Sequence, residues 1–498
     1  PSISLLLVSD NEAYNVVLLL LNSVSVYSMY FLQNHTWYPS GRDTQFETQI
    51  VSLIFDAGKW VPEMGTGMSR EISVHPAMHI FLASLCLVVD IEPYHAIFIV
   101  PWLKGVCFTL FFYVFSRKIL SDKKGVFFAS IVYMGCLFPM GDPHREVFAE
   151  ILFMGIFVIC LVKKISFSMK TTFILLIFSL AMSHHFTSYI FLLLYGVIYL
   201  FSMRKREMIH PLLPALVVLS WVGFVSFTVA SGYMISFFKA FETVLFPAAE
   251  RRVLAATSYY YSPFESLLIW MNPLLIAMLA FPSFLSALRT KEKIFLLVMT
   301  FVLGVLYVLA LLFFIYTTGW GTGAYRIFGF LYIPLSVWAG LSLFEKKKFP
   351  KVTLRTITCV VVVIILFASM NLSTINGIKK WYVPRGYMET YRFSDSMVIT
   401  AHWCDVSLNG SIIGDNLAYN LIGSWGYKEV HQWSFTRWYQ TKNNEILRRF
   451  DYIILSPWDT VTYSDTFREP IDPFSRLPKG LSVVYSSGDF VVYHNPKR

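Results

Sequence analysis

The sequence predicts a polytopic α-helical membrane protein that carries a small α/β domain at its C-terminal end. Three observations predict it. The 498-residue chain is 56% hydrophobic and only 14% charged, whereas soluble domains carry about a quarter charged residues. Apolar runs of near-span length recur from residue 14 to residue 370. After residue 370 the chain turns polar and tryptophan-rich, with short strand-like runs.

A bilayer core of about 30 Å asks for about 20 apolar residues per helix. The candidate spans are 14–33, 95–116, 125–140, 147–162, 171–183, 187–203, 211–230, 265–287, 295–316, 327–343 and 353–370. Tilt accommodates the shorter ones, and about 11 to 13 transmembrane helices are expected in all. The first span is too long, and lacks the clipped end, for a signal peptide; a few leading residues are expected to precede Pro1.

Lysine and arginine set the orientation. Five short loops are strongly basic: Arg117–Lys118–Lys123–Lys124, Lys163–Lys164–Lys170, Arg204–Lys205–Arg206, Arg289–Lys291–Lys293 and Lys346–Lys347–Lys348–Lys351–Arg355. They fall at every second loop, which assigns them to the cytoplasm. The net charge of +10 is met by anionic lipid headgroups and calls for no nucleic acid. The segment HPAMHIFLASLCLVVDIEP, His75 to Pro93, is short for a crossing, so 76–90 is read as a re-entrant or interfacial helix. Eleven crossings then leave the N-terminus cytoplasmic. The first loop, 34–94, and everything after residue 370 fall on the outer face, of a cell membrane or an endoplasmic reticulum.

The division expected is a membrane domain over 1–370 and an extracytoplasmic α/β domain over 371–498. In the latter, GSIIGDN, DYIILS and SVVYSSGDFVVYHN read as strands, the last as a hairpin about Ser487-Gly488, and TKNNEILRRF reads as a helix. Of the cysteines only Cys404 lies in this segment, so it holds no internal disulfide. The sequons at Asn34, Asn371 and Asn409 all fall on the expected outer side.

The outer loops collect the ionisable residues. The first offers Asp43, Glu47, Arg70, Glu71 and His75; the next, MGDPHREVFAE, offers Asp142, His144, Arg145, Glu146 and Glu150. The third reads SHHFTS, with His184 and His185. The fourth contains Lys239, Glu242, Glu250, Arg251, Arg252 and Tyr259–Tyr260–Tyr261, and the fifth, GWGTGAYRIFGF, contains Tyr325 and Arg326. Ionisable groups at membrane depth are costly and mark sites or pathways. A carboxylate near a histidine suits general base work, and arginines grip phosphate oxygens through paired hydrogen bonds. Together they describe a site that deprotonates an acceptor and stabilises a departing phosphate.

Structural roles stand beside these. Asp43 suits a helix N-cap before TQFETQIVSLIF, with Glu47 in the first turn. Asp142-Pro143 suits a turn and helix start. His184 and His185 suit the headgroup interface, Arg326 a snorkelling position, and Arg251-Arg252 a solvated or lipid-facing pair. Asp43, Asp142, His144 and Glu146 also leave open a divalent cation, magnesium or manganese, although no fixed ligand spacing assigns one.

Four stretches in this order, GRDTQFE at 41–47, FDAGKWVPE at 55–63, HPAMHIFLA at 75–83 and DPHREVFAE at 142–150, resemble the GT-C glycosyltransferases. The resemblance covers 14–370 as a plan. His144-Arg145-Glu146 with Phe148 is similar to the His-Lys-Glu-x-x-Phe loop of some dolichol-dependent mannosyltransferases, with Phe one place early. It implies transfer of a sugar from a polyprenyl- or dolichyl-phosphate carrier to a lipid-linked glycan or a protein on the outer or lumenal face. It also implies Asp43 as catalytic base or acceptor ligand, Asp142, His144 and Glu146 as the second acidic motif, and Arg326 after Tyr325 as a phosphate-binding arginine, aided by Arg251 or Arg252. Inversion is expected, because no second nucleophile is in place. The oligosaccharyltransferase branch carries Trp-Trp-Asp-Tyr-Gly. The nearest run here, HWCDVS, lacks the second tryptophan, the tyrosine and the glycine, which favours transfer of a single sugar over a whole glycan. A lipid-linked sugar flippase would also have many spans, but no internal repeat or matching broken spans relates the two halves. A scaffold subunit with a vestigial catalytic plan is a third reading.

Overall fold

The computed structural model describes residues 11–33, 42–65, 72–135, 145–162, 164–202, 208–229, 231, 235, 263–290, 293–316, 321–345, 395–415, 418–419, 422, 430–456, 474, 477–487 and 490–496. The chain forms two compact units. A helical unit takes in Pro1–Met29, Pro101–Gly141 and Glu146–Gly377; a mixed unit takes in Tyr30–Val100, Asp142–Arg145 and Ile378–Arg498.

The helices follow the apolar runs. They are α1 (Glu12–Gln33), α2 (Arg42–Ala57), α3 (Ala77–Val89), α4 (Pro93–Ile119), α5 (Lys123–Gly135), α6 (Arg145–Cys160), α7 (Phe167–Ser183), α8 (His185–Ser202), α9 (Leu212–Phe224), α10 (Pro263–Thr290), α11 (Ile294–Tyr316) and α12 (Gly321–Gly340). Ten of the eleven candidate spans coincide with one of these; the eleventh, 353–370, lies outside the described residues. Among the described residues, α4 and Arg326–Phe344 are long and apolar enough to cross a bilayer, and Leu274–Thr290 with Ile294–Ala310 add a third if they form one broken span.

In the helical unit α12 is central, packing against α5, α10 and α11. Aromatic rings fill the space around it: Phe153 lies 4.8 Å from Phe330, and Phe157 lies 6.0 Å from Phe295. Gly340 lets α12 meet α5, since a Cβ there would stand 2.6 Å from the Gly125 carbonyl oxygen.

Helices α1 and α4 run antiparallel. Ser23 donates to the Gly105 carbonyl at 2.6 Å, and its oxygen lies 2.8 Å from the Thr109 hydroxyl. At one end, Glu12 accepts from the Tyr113 hydroxyl at 2.9 Å and from Arg117 Nε at 3.2 Å, and pairs with Lys123 at 3.1 Å. Lys293, from the α10–α11 turn, donates to the Ile119 carbonyl at the same end. The start of α1 and two of the basic loops therefore lie together.

Helix α4 is not uniform. Lys104–Phe108 is a π turn, which admits one residue more than the α-helix around it.

In the mixed unit α2 packs on α3. Helix α3 has 13 residues, about 20 Å at 1.5 Å per residue, shorter than a bilayer core. It ends where Asp90 turns left-handed at φ 56° and its N–H caps the Cys86 carbonyl, a conformation that Asp tolerates. Helix α2 begins at Arg42, so Asp43 lies inside its first turn rather than ahead of it.

The C-terminal part holds α13 (Asp395–Ser407), β1 (Ile412–Gly414), α14 (Gln432–Thr441), β2 (Tyr452–Leu455), β3 (Ser482–Ser486) and β4 (Val491–His494). The sheet order is β1-β2-β4-β3, with β1 and β2 parallel and the other pairs antiparallel. Alternation along the strands serves two faces. Ile412, Ile454 and Val492 join Met397, Ala401 and Cys404 of α13, while Ile413, Ile453 and Leu455 join Phe435 and Trp438 of α14. The expected hairpin forms, closed by Ser487 N–H on the Phe490 carbonyl at 3.1 Å.

The helix expected over TKNNEILRRF does not form there. Lys442 turns left-handed at φ 55° and ends α14. Asn443 Oδ1 then accepts from the Glu445 N–H at 3.0 Å, a local turn that competes with helix. Only one 3-10 turn, Leu447–Arg449, follows before β2.

Within this unit the first loop meets the C-terminal part. Phe46 of α2 lies edge-on to Tyr419 at 5.9 Å, and Tyr94 packs on the α13 core.

Candidate active site

Among the described residues two buried charge networks are present, one in each unit. In the mixed unit, Glu47 sits one turn after Asp43 on α2 and is 1% exposed. One carboxylate oxygen meets His79 Nε2, from α3; the other accepts from Arg145 Nη1 at 2.8 Å. Two partners on a sequestered carboxylate hold it in one orientation. His79 is fully buried, and its Nδ1 has no hydrogen-bond partner among the described residues. His75 is also buried, and Trp60 Nε1 donates to the Ser73 carbonyl at 2.8 Å, tying the end of the FDAGKWVPE stretch to the segment before α3.

In the helical unit, Glu146 and Glu150 stand one turn apart on α6, both buried. Arg326 of α12 donates from Nε to Glu146 at 2.9 Å. Lys104, opening the π turn of α4, places Nζ 2.5 Å from Glu150. The distance makes this an ion pair, although the angles are too bent for an aligned hydrogen bond. Lys104 is 1% exposed, an environment in which a lysine is almost never found unpaired.

His184 caps α7, is buried, and has Nδ1 2.9 Å from the Thr187 hydroxyl. His185 is buried as well, its ring 5.2 Å from that of His184. Neither sits in an exposed interfacial position. Asp142, His144, Arg251 and Arg252 lie outside the described residues, as do Arg70, Glu71 and Tyr259–Tyr261; for Asp43 and Tyr325 only the backbone is described. Among the described residues no three metal-ligating side chains gather, and of the four metal candidates only the Glu146 side chain is described.

The structure thus joins Glu47 with Arg145, and Glu146 with Arg326. Sequence reasoning did not single out Lys104 or His79. A lysine inside the apolar run IVPWLKGVCFTL was the available signal for the first, since charge at that depth needs a partner. His79 stood in a quoted motif, but spacing alone did not link it to a carboxylate 32 residues earlier.

No protein-family profile matches the chain, and no curated protein matches it in sequence. Solved structures do match in fold. The archaeal oligosaccharyltransferase AglB from Archaeoglobus fulgidus, in complex with an inhibitory peptide and a dolichol-phosphate, aligns with TM-score 0.56 at 9% identity, over 90% of this chain and 70% of that one. ArnT from Cupriavidus metallidurans, bound to undecaprenyl phosphate, aligns with TM-score 0.55 at 11% identity, over 96% of this chain and 97% of that one. The arabinofuranosyltransferase AftD from Mycobacteria aligns with TM-score 0.55 at 11% identity, over 96% of this chain but 41% of that one, so the chain spans under half of its length. All three are GT-C membrane glycosyltransferases.

The fold is the GT-C fold.

The resemblance drawn from the four short stretches therefore holds at the level of architecture. A shared fold leaves the chemistry to be argued from side chains.

Proposed function

We propose that the protein is a GT-C-type glycosyltransferase that moves one sugar from a polyprenyl- or dolichyl-phosphate carrier to a lipid-linked glycan or protein acceptor on the extracytoplasmic face, with inversion. The observation that carries this reading is the buried Glu146–Arg326 pair, which joins the second acidic stretch to the late-span arginine in a fold shared with proteins solved with dolichol-phosphate and undecaprenyl phosphate. A guanidinium has five N–H donors. Arg326 gives one to Glu146, and its side chain is 32% exposed, so donors remain for phosphate oxygens.

In the proposed step the acceptor hydroxyl loses its proton to Asp43 as its oxygen attacks the anomeric carbon. The bond from that carbon to the carrier phosphate breaks, and the electron pair leaves on the phosphate, which Arg326 stabilises. One displacement inverts the centre. Sidedness is supported by the meeting of Glu12 with Arg117 and Lys123: α1 and α4 start from opposite ends, as an uncrossed α3 requires, and lysine-rich loops stay cytoplasmic.

The test uses purified protein in nanodiscs, supplied with tritiated polyprenyl-phosphate hexoses and pentoses and with lipid-linked glycans and membrane proteins extracted from the source membrane. Transfer by wild type, lost in a folded Asp43→Asn variant, supports the reading; no turnover of any such donor, or full transfer by Asp43→Asn, overturns it.

A further inference from the structure

We propose that Lys104 is a positioning residue of the phosphate site: by cancelling the charge of Glu150, it keeps the Arg326 guanidinium free for the phosphate of the carrier. This rests on the reading above, because it takes Arg326 as the group that meets that phosphate.

The four groups share one seam of the helical unit. Glu146, Glu150, Phe153 and Phe157 follow at steps of four, three and four along α6, so they line one face. Arg326 and Phe330 stand one turn apart on α12 and meet that face twice. Arg326 lies 2.9 Å from Glu146, and the Phe330 ring centroid lies 4.8 Å from that of Phe153. Glu150 lies between these two contacts. Lys104 reaches it from α4, with Nζ 2.5 Å from the carboxylate. Both side chains are buried, so the pair is screened little by salt or water.

Two carboxylates one turn apart on a helix repel each other, and a guanidinium has five donors with which to serve both. With Glu150 bare, Arg326 would be its neighbouring cation on the seam among the described residues. It would be drawn a turn deeper, away from the side on which it is accessible. The lysine removes that competition, and it does so by charge rather than by direction. Neither Nζ nor the facing Glu150 oxygen makes an aligned hydrogen bond, so the pair supplies neutrality at depth. The backbone is shaped to deliver it. Lys104 opens the π turn of α4, a feature that recurs at functional sites. Buried Ser23 of α1 secures that turn, donating to the Gly105 carbonyl at 2.6 Å.

A cancelling charge and a packing contact answer differently to substitution. Gln at either position keeps most of the volume and removes one charge. Native mass spectrometry of the purified chain, titrated with undecaprenyl or dolichyl phosphate, counts lipid on folded protein only. Lys104→Gln leaves one uncompensated anion and is expected to raise Kd about tenfold, the order of one buried unit charge near a binding anion. Glu150→Gln leaves one uncompensated cation and is expected to lower Kd about threefold. The two together should return Kd to within about twofold of wild type, since no net charge is stranded. With Arg326→Gln as background, the Lys104→Gln shift should shrink below about threefold, because the lysine acts through the arginine. Packing alone would move both single variants in the same direction, or neither. Either result, or the full shift in the Arg326→Gln background, overturns the inference and leaves the transferase reading standing. If one single variant does not fold, the sign of the other decides. If neither folds, the neutral pair decides: recovery supports the role, and a loss of about tenfold overturns it. A wild-type chain that binds neither lipid overturns the reading itself, and this inference with it.

Discussion

Arg326 and Glu146 are 180 positions apart in the sequence, yet the guanidinium Nε of one meets the carboxylate of the other at 2.9 Å. The carboxylate is 3% exposed and the guanidinium 32%, so the pair has a dry side and an accessible side. Removing either partner has a different consequence.

Arg326→Gln removes the guanidinium that Glu146 meets at 2.9 Å. A loss of about 1–3 kcal/mol in stability is expected, the cost of weakening the hydrogen bonding of a buried carboxylate. Adding Glu146→Gln should restore most of that stability while undecaprenyl-phosphate binding stays weak. Thermal melts and lipid-phosphate titration of the single and double variants check both arms.

Lys104 and Glu150 form the deeper pair, 0% and 7% exposed at the side chain. Breaking one partner of a buried ion pair costs about 3–5 kcal/mol, whereas replacing both with apolar residues of similar size is often neutral. Lys104→Met should therefore destabilise strongly, and Lys104→Met with Glu150→Leu should recover. A double-mutant cycle on melting curves reads the coupling.

Close approach of α5 and α12 depends on Gly340. Gly340→Ala pushes a methyl group to 2.6 Å from the Gly125 oxygen and should cost about 1–3 kcal/mol as the helices part. Gly329→Ala, on the same helix with nothing within 4 Å of the added carbon, is the matched control and should be neutral or mildly stabilising.

Glu12 gives a pH dependence. The Tyr113 hydroxyl first, then Lys123, hold its carboxyl below the ordinary glutamate value. A lowered folded-state value means that the stabilisation is present above the unfolded-chain value and is lost as pH falls through the folded one. Wild type and Glu12→Gln should differ in melting temperature at neutral pH and converge in acid.

The orientation is open to labelling. Asn11→Cys and Lys118→Cys should react with a membrane-impermeant maleimide from one side of a sealed vesicle, and Asn409→Cys from the other. The background cysteines are removed first.

Much of the fold was legible because apolar run length is a strong signal, and ten of the apolar runs coincide with helices whose ends differ from the expected ones by at most about six residues. The alternation in DYIILS and SVVYSSGDFVVYHN likewise announced β2, β3 and β4. Local turn chemistry was less visible: Asn443 diverts a stretch whose composition favours helix. The site was legible as a set of residue types but not as pairs. Nothing in spacing tells that Glu47 would be shared by His79 and Arg145, because partners so far apart in sequence are chosen by how helices pack.

The widened turn at Lys104–Phe108 bears on how this chain should be compared with others. It is geometrically equivalent to a single inserted amino acid, and an ordinary helix turns about 100° per residue. Any residue-by-residue matching of α4 against a regular helix must therefore open a one-position gap there. Without it, one half of the pairing is rotated onto the wrong face, and the counterpart of Lys104 is sought a notch away from where it stands.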